Sequence, residues 1–150
     1  MTPRRWLSLA LLAGLLFGLP AVSFAQMAVH TVSITTDGSG DATVYSPPTF
    51  GTIVAIRYVP HASTPLETGA DITITDGATG IGVLTVTNVG PSARDFWPRA
   101  FTMNTVGVVA TYDGTRHVLD LVPVAGAVKV VVASGGAAKI GTLYIYVQGR

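Results

Sequence analysis

The sequence predicts an all-β protein, an antiparallel β-sandwich of jelly-roll type with about eight or nine short strands. Short segments rich in Val, Ile, Thr and Tyr recur along the chain, separated by clusters of Gly, Pro and Asp. The chain has 17 glycines and 9 prolines, which suits a fold with many turns. After residue 26 there is no amphipathic helical pattern of useful length.

The most apolar stretch is residues 127–147, AVKVVVASGGAAKIGTLYIYV. It predicts two strands, 128–133 and 140–147, joined as a hairpin by the small-residue loop 134–139. β-Branched and aromatic side chains suit a pleated, packed surface, and two adjacent glycines in the loop tolerate positive φ. Because a hairpin this apolar cannot stand alone in water, a second sheet must cover it.

The other strands are predicted from alternating apolar residues between turn clusters. The clusters at 37–41 and 76–80 predict two further hairpins of the same kind. Pro47 and Pro48 are expected to end a strand, because proline cannot donate to a ladder. Pro91 and Pro98 are likewise expected to prevent regular pairing between residues 88 and 104. The predicted strands are 30–36, 42–46, 52–59, 71–75, 81–87, 105–112 and 117–122.

Composition excludes several classes of protein. The 150 residues suffice for one domain, and 49% apolar against 11% charged residues is far from a disordered composition. The absence of cysteine excludes disulfides, thiolate zinc sites and cysteine nucleophiles. Residues 26–150 contain five Arg, two Lys and eight acids, a net charge of −1. A near-neutral domain has no electrostatic footprint for nucleic acid.

Residues 1–25 have the pattern of a signal peptide. Arg4 and Arg5 precede a Leu-rich apolar core, and Ser23 and Ala25 offer small residues at the −3 and −1 positions of a cleavage site. Cleavage there would leave residues 26–150 as a single β-sandwich domain, secreted or periplasmic. The apolar core is short for a membrane span, so no span is expected after signal removal.

Two alternatives to a cleaved signal peptide stay open. An uncleaved anchor is one of them. The other is translation from Met27, which would make residues 1–25 an extension before the true start and place the protein in cytoplasmic or virion assembly.

No residue cluster predicts an enzyme or a catalytic metal. His30 and His117 lie in predicted strands, where a solvent-facing imidazole is expected, and His61 lies in a loop. The chain has no HExxH motif or clustered carboxylates. We therefore predict no catalytic residue, no metal ligand and no cofactor.

Three turn features remain as weaker alternatives. Asp71 and Asp76 flank a short strand and could hold calcium, but the ligand series of a dedicated loop is missing. Ser134 lacks the context of a nucleophile elbow. The glycines before Lys139 lack the Walker spacing of a phosphate loop, and no helix follows them.

The stretch 95–101, DFWPRAF, is the predicted binding site. Aromatic residues and Arg most often anchor interfaces, and Trp can also stack on a sugar ring. The alternative is a loop aromatic that plugs the end of the sandwich, with Arg99 bonding a nearby carboxylate. The predicted binding residues are Phe96, Trp97, Arg99 and Phe101.

Three motifs in this order resemble small β-sandwich proteins encoded among bacteriophage and prophage structural genes. They are ITTDGSGDATVYSPP at 34–48, FWPRAF at 96–101 and VKVVVASGGAAKIGTLYIYV at 128–147. The resemblance spans residues 27–147 and implies a virion accessory or decoration role with self-association. It implies no catalytic residue, and a signal segment departs from it because virion parts assemble in the cytoplasm.

Two functions are therefore expected from the sequence. The first is a non-enzymatic structural protein that forms a homo-oligomer or packs on a larger protein assembly. The second is an exported binding module for a glycan or a surface protein. Hydrolysis is the third and weakest expectation.

Overall fold

The computed structural model describes residues 26–149, and every regular element within them is a β-strand. The predicted all-β, antiparallel class is confirmed. The signal-peptide interpretation concerns residues 1–25, which lie outside the described residues. Over residues 26–149 no helix has the length and apolarity of a membrane crossing. The strands are β1 (Met27–Thr35), β2 (Ala42–Pro60), β3 (Asp71–Asp76), β4 (Gly82–Val86), β5 (Arg94–Phe96), β6 (Ala100–Phe101), β7 (Leu119–Asp120), β8 (Val122–Ala133) and β9 (Ile140–Gln148).

One long strand, β2, connects the two halves of the main sheet. The strand order is β1-β9-β2-β8-β3-β4, with β5 also paired to β2. The first half of β2 pairs with β8, and its second half pairs with β9 and β5. The halves β1-β9-β2-β5 and β2-β8-β3-β4 thus form the two layers of a β-sandwich-like fold that share one strand.

Both layers contribute alternate side chains to a single core, as the period of two predicts. Tyr58 is the largest fully buried side chain, and its ring occupies the space beside Gly141, where a Cβ would lie 2.7 Å from a ring carbon. The buried apolar residues are Val32, Ile34, Ile53, Ile56, Tyr58, Leu66, Ala70, Ile72, Ile74, Val83, Val89, Val122, Val124, Val128, Val130, Val132, Leu143, Ile145 and Val147.

Two of the three predicted hairpins are wrong. The strands β3 and β4 pair as predicted, but β2 lies between β8 and β9, and β9 lies between β1 and β2. The loop 134–139 crosses between layers, and its backbone bonds go to other loops. The Gly135 amide donates to the Gly40 carbonyl at 2.7 Å, and the Gly135 carbonyl accepts from the Glu67 amide at 2.9 Å. A short loop therefore does not oblige its flanking strands to pair.

Pro47 and Pro48 do not end a strand, contrary to the prediction. They form a bulge inside β2, where the pairing shifts between Tyr45 and Pro48. The Ser46 hydroxyl accepts the Val128 amide at 2.9 Å and donates to the Pro47 carbonyl at 2.7 Å. A side chain thus replaces the ladder bond that the prolines remove, and the two predicted strands 42–46 and 52–59 become one.

The predicted strands 105–112 and 117–122 are mostly replaced by a compact arm, residues 100–120. Its regular pairing is limited to β6 with β7 and two isolated bridges. Three segments close a ring of backbone bonds: the Thr102 amide donates to Val118, Val118 to Ala110, and Ala110 to Thr102, at 2.8–3.0 Å. The prediction that Pro91 and Pro98 prevent regular pairing between residues 88 and 104 is also wrong, because β5 pairs with β2 and β6 pairs with β7 in this segment.

The crossing of β2 between layers depends on Gly51. Its φ is +141°, and an added Cβ would clash with the backbone carbonyl of Gln148 in β9. One residue further, Thr52 and Ile53 pair with both β8 and β9. Only glycine allows this approach, since any Cβ would push the two layers apart.

We predict that Gly51→Ala lowers the free energy of unfolding by about 2–4 kcal/mol, because it adds backbone strain and overpacking at this crossing. Urea unfolding followed by circular dichroism measures the change. Gly82→Ala is the matched control, since Gly82 also lies in a strand but has open space around its Cα and no positive φ. Equal effects of the two substitutions would contradict the assigned role of Gly51.

Candidate functional site

The four predicted binding residues lie in different environments. Phe96 is half-buried and packs against the core, while 65% of Trp97 is exposed. Arg99 does not bond a carboxylate; its Nη1 donates to the Val54 carbonyl at 3.3 Å and to the Pro98 carbonyl at 2.7 Å. Phe101 is exposed and contacts His117 edge-on, with ring centroids 4.8 Å apart. Phe96, Trp97 and Arg99 lie at the base of the arm, and Phe101 lies in β6 at its start.

The base of the arm is attached to β2. Val54 is the extra residue of a second bulge in that strand, between Ile53 and Ala55, so its carbonyl is free to accept Arg99. Next to it, β5 pairs with β2, and Arg57 Nη1 lies 3.3 Å from both carboxylate oxygens of Asp95. The direction in which the chain enters the arm is therefore set by the pairing of β5 with β2 and by the bond from Arg99 to the Val54 carbonyl.

The two tight turns of the arm are held by one polar side chain each. Asn104 Oδ1 accepts the amides of Val106 and Val108 at 3.1 and 3.0 Å. Asp113 Oδ1 accepts the amides of Thr115 and Arg116 at 3.0 and 2.8 Å. These amide bonds lower the pKa of Asp113 below its ordinary value. Side-chain bonding of this kind is the usual way that Asn and Asp stabilise turns.

The arm has ordered backbone bonds but no buried side chain. From Arg99 to Leu121 every residue is half-buried or exposed, and Val106 and Tyr112 each expose 79% of their surface. Six of the twelve large exposed apolar side chains among residues 26–149 lie there. We call the exposed apolar residues of the arm, together with Trp97 just before it, the apolar arm surface. They are Trp97, Phe101, Met103, Val106, Val108, Tyr112 and Leu119.

Five of these residues were not identified from the sequence as binding residues. Val106, Val108, Tyr112 and Leu119 lie in the predicted strands 105–112 and 117–122, and Met103 lies in the segment 88–104 that was predicted to lack regular pairing. A usable signal was Gly107, which lies in the interior of the predicted strand 105–112, where glycine weakens a strand.

The histidines and Ser134 lie apart from one another. His61 Nδ1 accepts the Thr64 amide at 3.2 Å, which stabilises its own loop. His30 is half-buried on β1, and His117 lies on the arm. Ser134 is a turn residue with φ of +56°. Over residues 26–149 no group of three or more His, Asp or Glu side chains is placed to hold a metal ion.

Two carboxylates considered for calcium lie at opposite ends of β3. Asp71 accepts the Asn88 amide at 3.0 Å, and Asp76 is only 1% exposed. Asp76 accepts the Thr79 hydroxyl at 2.6 Å and the Ala78 amide at 3.3 Å, within the turn to β4. The Thr79 bond lowers the pKa of Asp76 and outweighs burial, which acts in the opposite direction. The Asp76 carboxylate thus serves its own turn.

Near the start of β9, Lys139 lies 3.7 Å from Glu67 across a shallow groove beside residues 65–69. The Lys139 ammonium group, which a phosphate loop would use to bind its ligand, is therefore already paired with Glu67. The groove is separate from the apolar arm surface, since none of the arm residues line it.

We predict that Thr79→Val lowers the free energy of unfolding by about 1–3 kcal/mol at pH 7, because it leaves a buried carboxylate without its shortest bond. The loss shrinks in acid. Stability from ionised Asp76 is present above the unfolded-state pKa, near 3.8, and is lost as pH falls through the lower folded-state pKa. Urea unfolding at several pH values measures this. Thr85→Val, on an exposed residue, is the control, and a pH-independent loss would contradict the assignment.

No family model matches this chain, and no curated protein matches it. Among solved structures, a chain described as "Crystal Structure of FLHE" is similar to it, with a TM-score of 0.43 and 11% sequence identity. The match covers 83% of this chain and 99% of that chain.

Proposed function

We propose that this chain is a non-enzymatic structural protein that packs on a larger protein assembly through its apolar arm surface. The main observation behind this proposal is that residues 100–120 are held by a ring of backbone hydrogen bonds but expose most of their large apolar side chains. Exposed apolar side chains gathered in one short segment are a feature of interaction sites on folded proteins.

The composition of the arm favours a protein partner of low charge. Asp113 and Arg116 at one turn lie 3.7 Å apart, so their charges largely offset each other. Interface cores are enriched in aromatic residues and Met and depleted in charged residues. Trp97, Phe101 and Met103 on the arm surface match that composition. A partner with a complementary apolar groove is therefore the partner that this surface fits.

The resemblance of the three sequence motifs to phage and prophage structural proteins supports a virion accessory or decoration role within this proposal. A virion surface offers protein partners in repeated copies, and such a role requires no catalytic group. A secreted or periplasmic location would place the same surface against a cell-envelope assembly instead. In either location the proposed chemistry is apolar packing between proteins.

We expect a photo-crosslinking benzoylphenylalanine at Val106 to give one discrete crosslinked species when the full-length gene is expressed in its natural host. Mass spectrometry of that species identifies the partner protein. The same group at Ile81 is the matched control, since Ile81 is also an exposed apolar residue but lies outside the arm. Identical diffuse products from both positions would contradict a docking role for the arm.

A double variant, Met103→Ser with Tyr112→Ser, separates docking from folding in this experiment. Both side chains are exposed, so the free energy of unfolding is expected to change by no more than about 0.5 kcal/mol per site. The crosslink from Val106 is expected to disappear in this variant. Persistence of the crosslink would show that the arm surface does not make the contact.

The second candidate function is glycan binding, favoured by the 65% exposure of Trp97 beside Arg99. An exposed indole can stack on a sugar ring. On a glycan array, this function predicts a specific signal from the wild-type protein that is lost in Trp97→Ala. Phe50→Ala is the control, because Phe50 is an equally exposed aromatic residue outside the 95–101 stretch. Absence of any wild-type signal would exclude this candidate.

A further inference from the structure

The described chain leaves three strands at the edges of its main sheet, β1, β4 and β5. Two of them are poor templates for another strand. β5 has three residues, of which Arg94 and Asp95 are charged, and the five-residue β4 is irregular where the pairing shifts beside Thr75. Short length, charge and bulges are the devices that keep sheet edges from pairing with other chains.

β1 lacks all of these devices. It pairs with β9 over nine consecutive residues without a register shift, and MAVHTVSIT contains no Pro, Lys, Arg, Asp or Glu. Two large apolar side chains, Met27 and Val29, are exposed at its start. A long, regular and uncharged edge strand is a template for strand addition.

The register with β9 shows which backbone groups of β1 face the open edge. The Gly149 amide donates to Gln26 and the Thr36 amide donates to Lys139, so the even-numbered residues from 26 to 36 direct their backbone groups at β9. The odd-numbered residues therefore direct theirs outward. Among residues 26–149 no backbone hydrogen bond is made by these outward groups, which belong to Met27, Val29, Thr31, Ser33 and Thr35.

We propose that β1 pairs antiparallel with β1 of a second copy of this chain, across a two-fold axis at Thr31. In this register Thr31 faces its own copy, Val29 faces Ser33, and Met27 faces Thr35. Every outward amide and carbonyl of both strands then has a partner. The two β1-β9-β2-β5 layers join into one continuous sheet, and this contact is separate from the apolar arm surface.

A second copy is the occupant that β1 fits because the strand is complementary to itself. A two-fold contact places each residue opposite its symmetry partner, so a charged strand would repel its copy. β1 carries no formal charge, and the two His30 side chains face Val32 and not each other in this register. A Thr–Thr pair lies at the axis, and cross-strand Thr pairs are favourable.

The test uses two opposite charges at the two-fold axis, in protein purified from the full-length gene. Thr31→Lys and Thr31→Glu each place like charges directly opposite, so each variant is expected to dimerise roughly tenfold more weakly than the wild type. An equimolar mixture is expected to restore the dimer, because Lys then faces Glu. Sedimentation equilibrium measures the mass of each sample and the dissociation constant.

The matched controls are Thr85→Lys and Thr85→Glu, which place the same charges on an exposed residue of the edge strand β4. These variants are expected to dimerise like the wild type. A wild-type protein that stays monomeric up to about 1 mM would overturn the proposal. A monomer is also the result expected if the segment before Met27 covers the edge of β1. The proposal would also be overturned by a dimer that Thr31→Lys leaves intact, or by a mixture that does not restore it.

The result is independent of the proposed function. A monomeric Thr31→Lys protein that still gives the Val106 crosslink would show that the arm acts without the dimer. A wild-type dimer that gives no Val106 crosslink would support the β1 interface and contradict the arm as a docking surface.

Discussion

The architecture depends on one strand that belongs to both layers. β2 is 19 residues long, and it pairs with β8 along its first half and with β9 and β5 along its second half. A single strand can serve two layers only if it bends, and β2 does so at Gly51 and at two bulges. Gly51 is the tightest point, because the Gln148 backbone occupies the space that a Cβ would need.

The position of β2 decides the placement of the other elements. Since β2 lies at the junction, β8 and β9 must lie on its two sides, and the loop between them crosses from one layer to the other. Gly135 of that loop exchanges backbone bonds with the 37–41 and 61–69 loops. The second bulge of β2 also frees the Val54 carbonyl, which accepts Arg99 and attaches the base of the arm. A bend in one strand therefore positions the candidate functional surface.

The two surfaces that we assign to protein contacts differ in physical character. The arm presents apolar side chains around a small ring of backbone bonds, so its contacts would come from packing and exclusion of water. The edge of β1 presents mainly backbone groups, so its contacts would be directional hydrogen bonds with a defined register. A protein with both surfaces can associate with itself through β1 and keep the arm free for a different partner.

Composition and periodicity were enough to predict the all-β class and the β3–β4 hairpin. Local alternation determines which face of a strand is apolar, whichever strand becomes its neighbour. Sequence also singled out Trp97 and Arg99, because aromatic residues and Arg most often anchor interfaces, and their role in binding stays a prediction. Its interpretation of Pro47 and Pro48 failed, since the Ser46 hydroxyl that replaces their missing bond reaches β8 through tertiary structure.

Strand order was decided only by tertiary structure, because the partners in β1–β9, β2–β9, β2–β8 and β3–β8 lie more than 50 residues apart and leave no local trace in the chain. Gly51 shows this: it is one glycine among 17 in the sequence, and only the approach of β9 makes it necessary. The same holds for Met103, Val106 and Tyr112, whose apolar side chains would suit a core strand equally well. Their exposure follows from the attachment of the arm outside both layers, where no second sheet covers it.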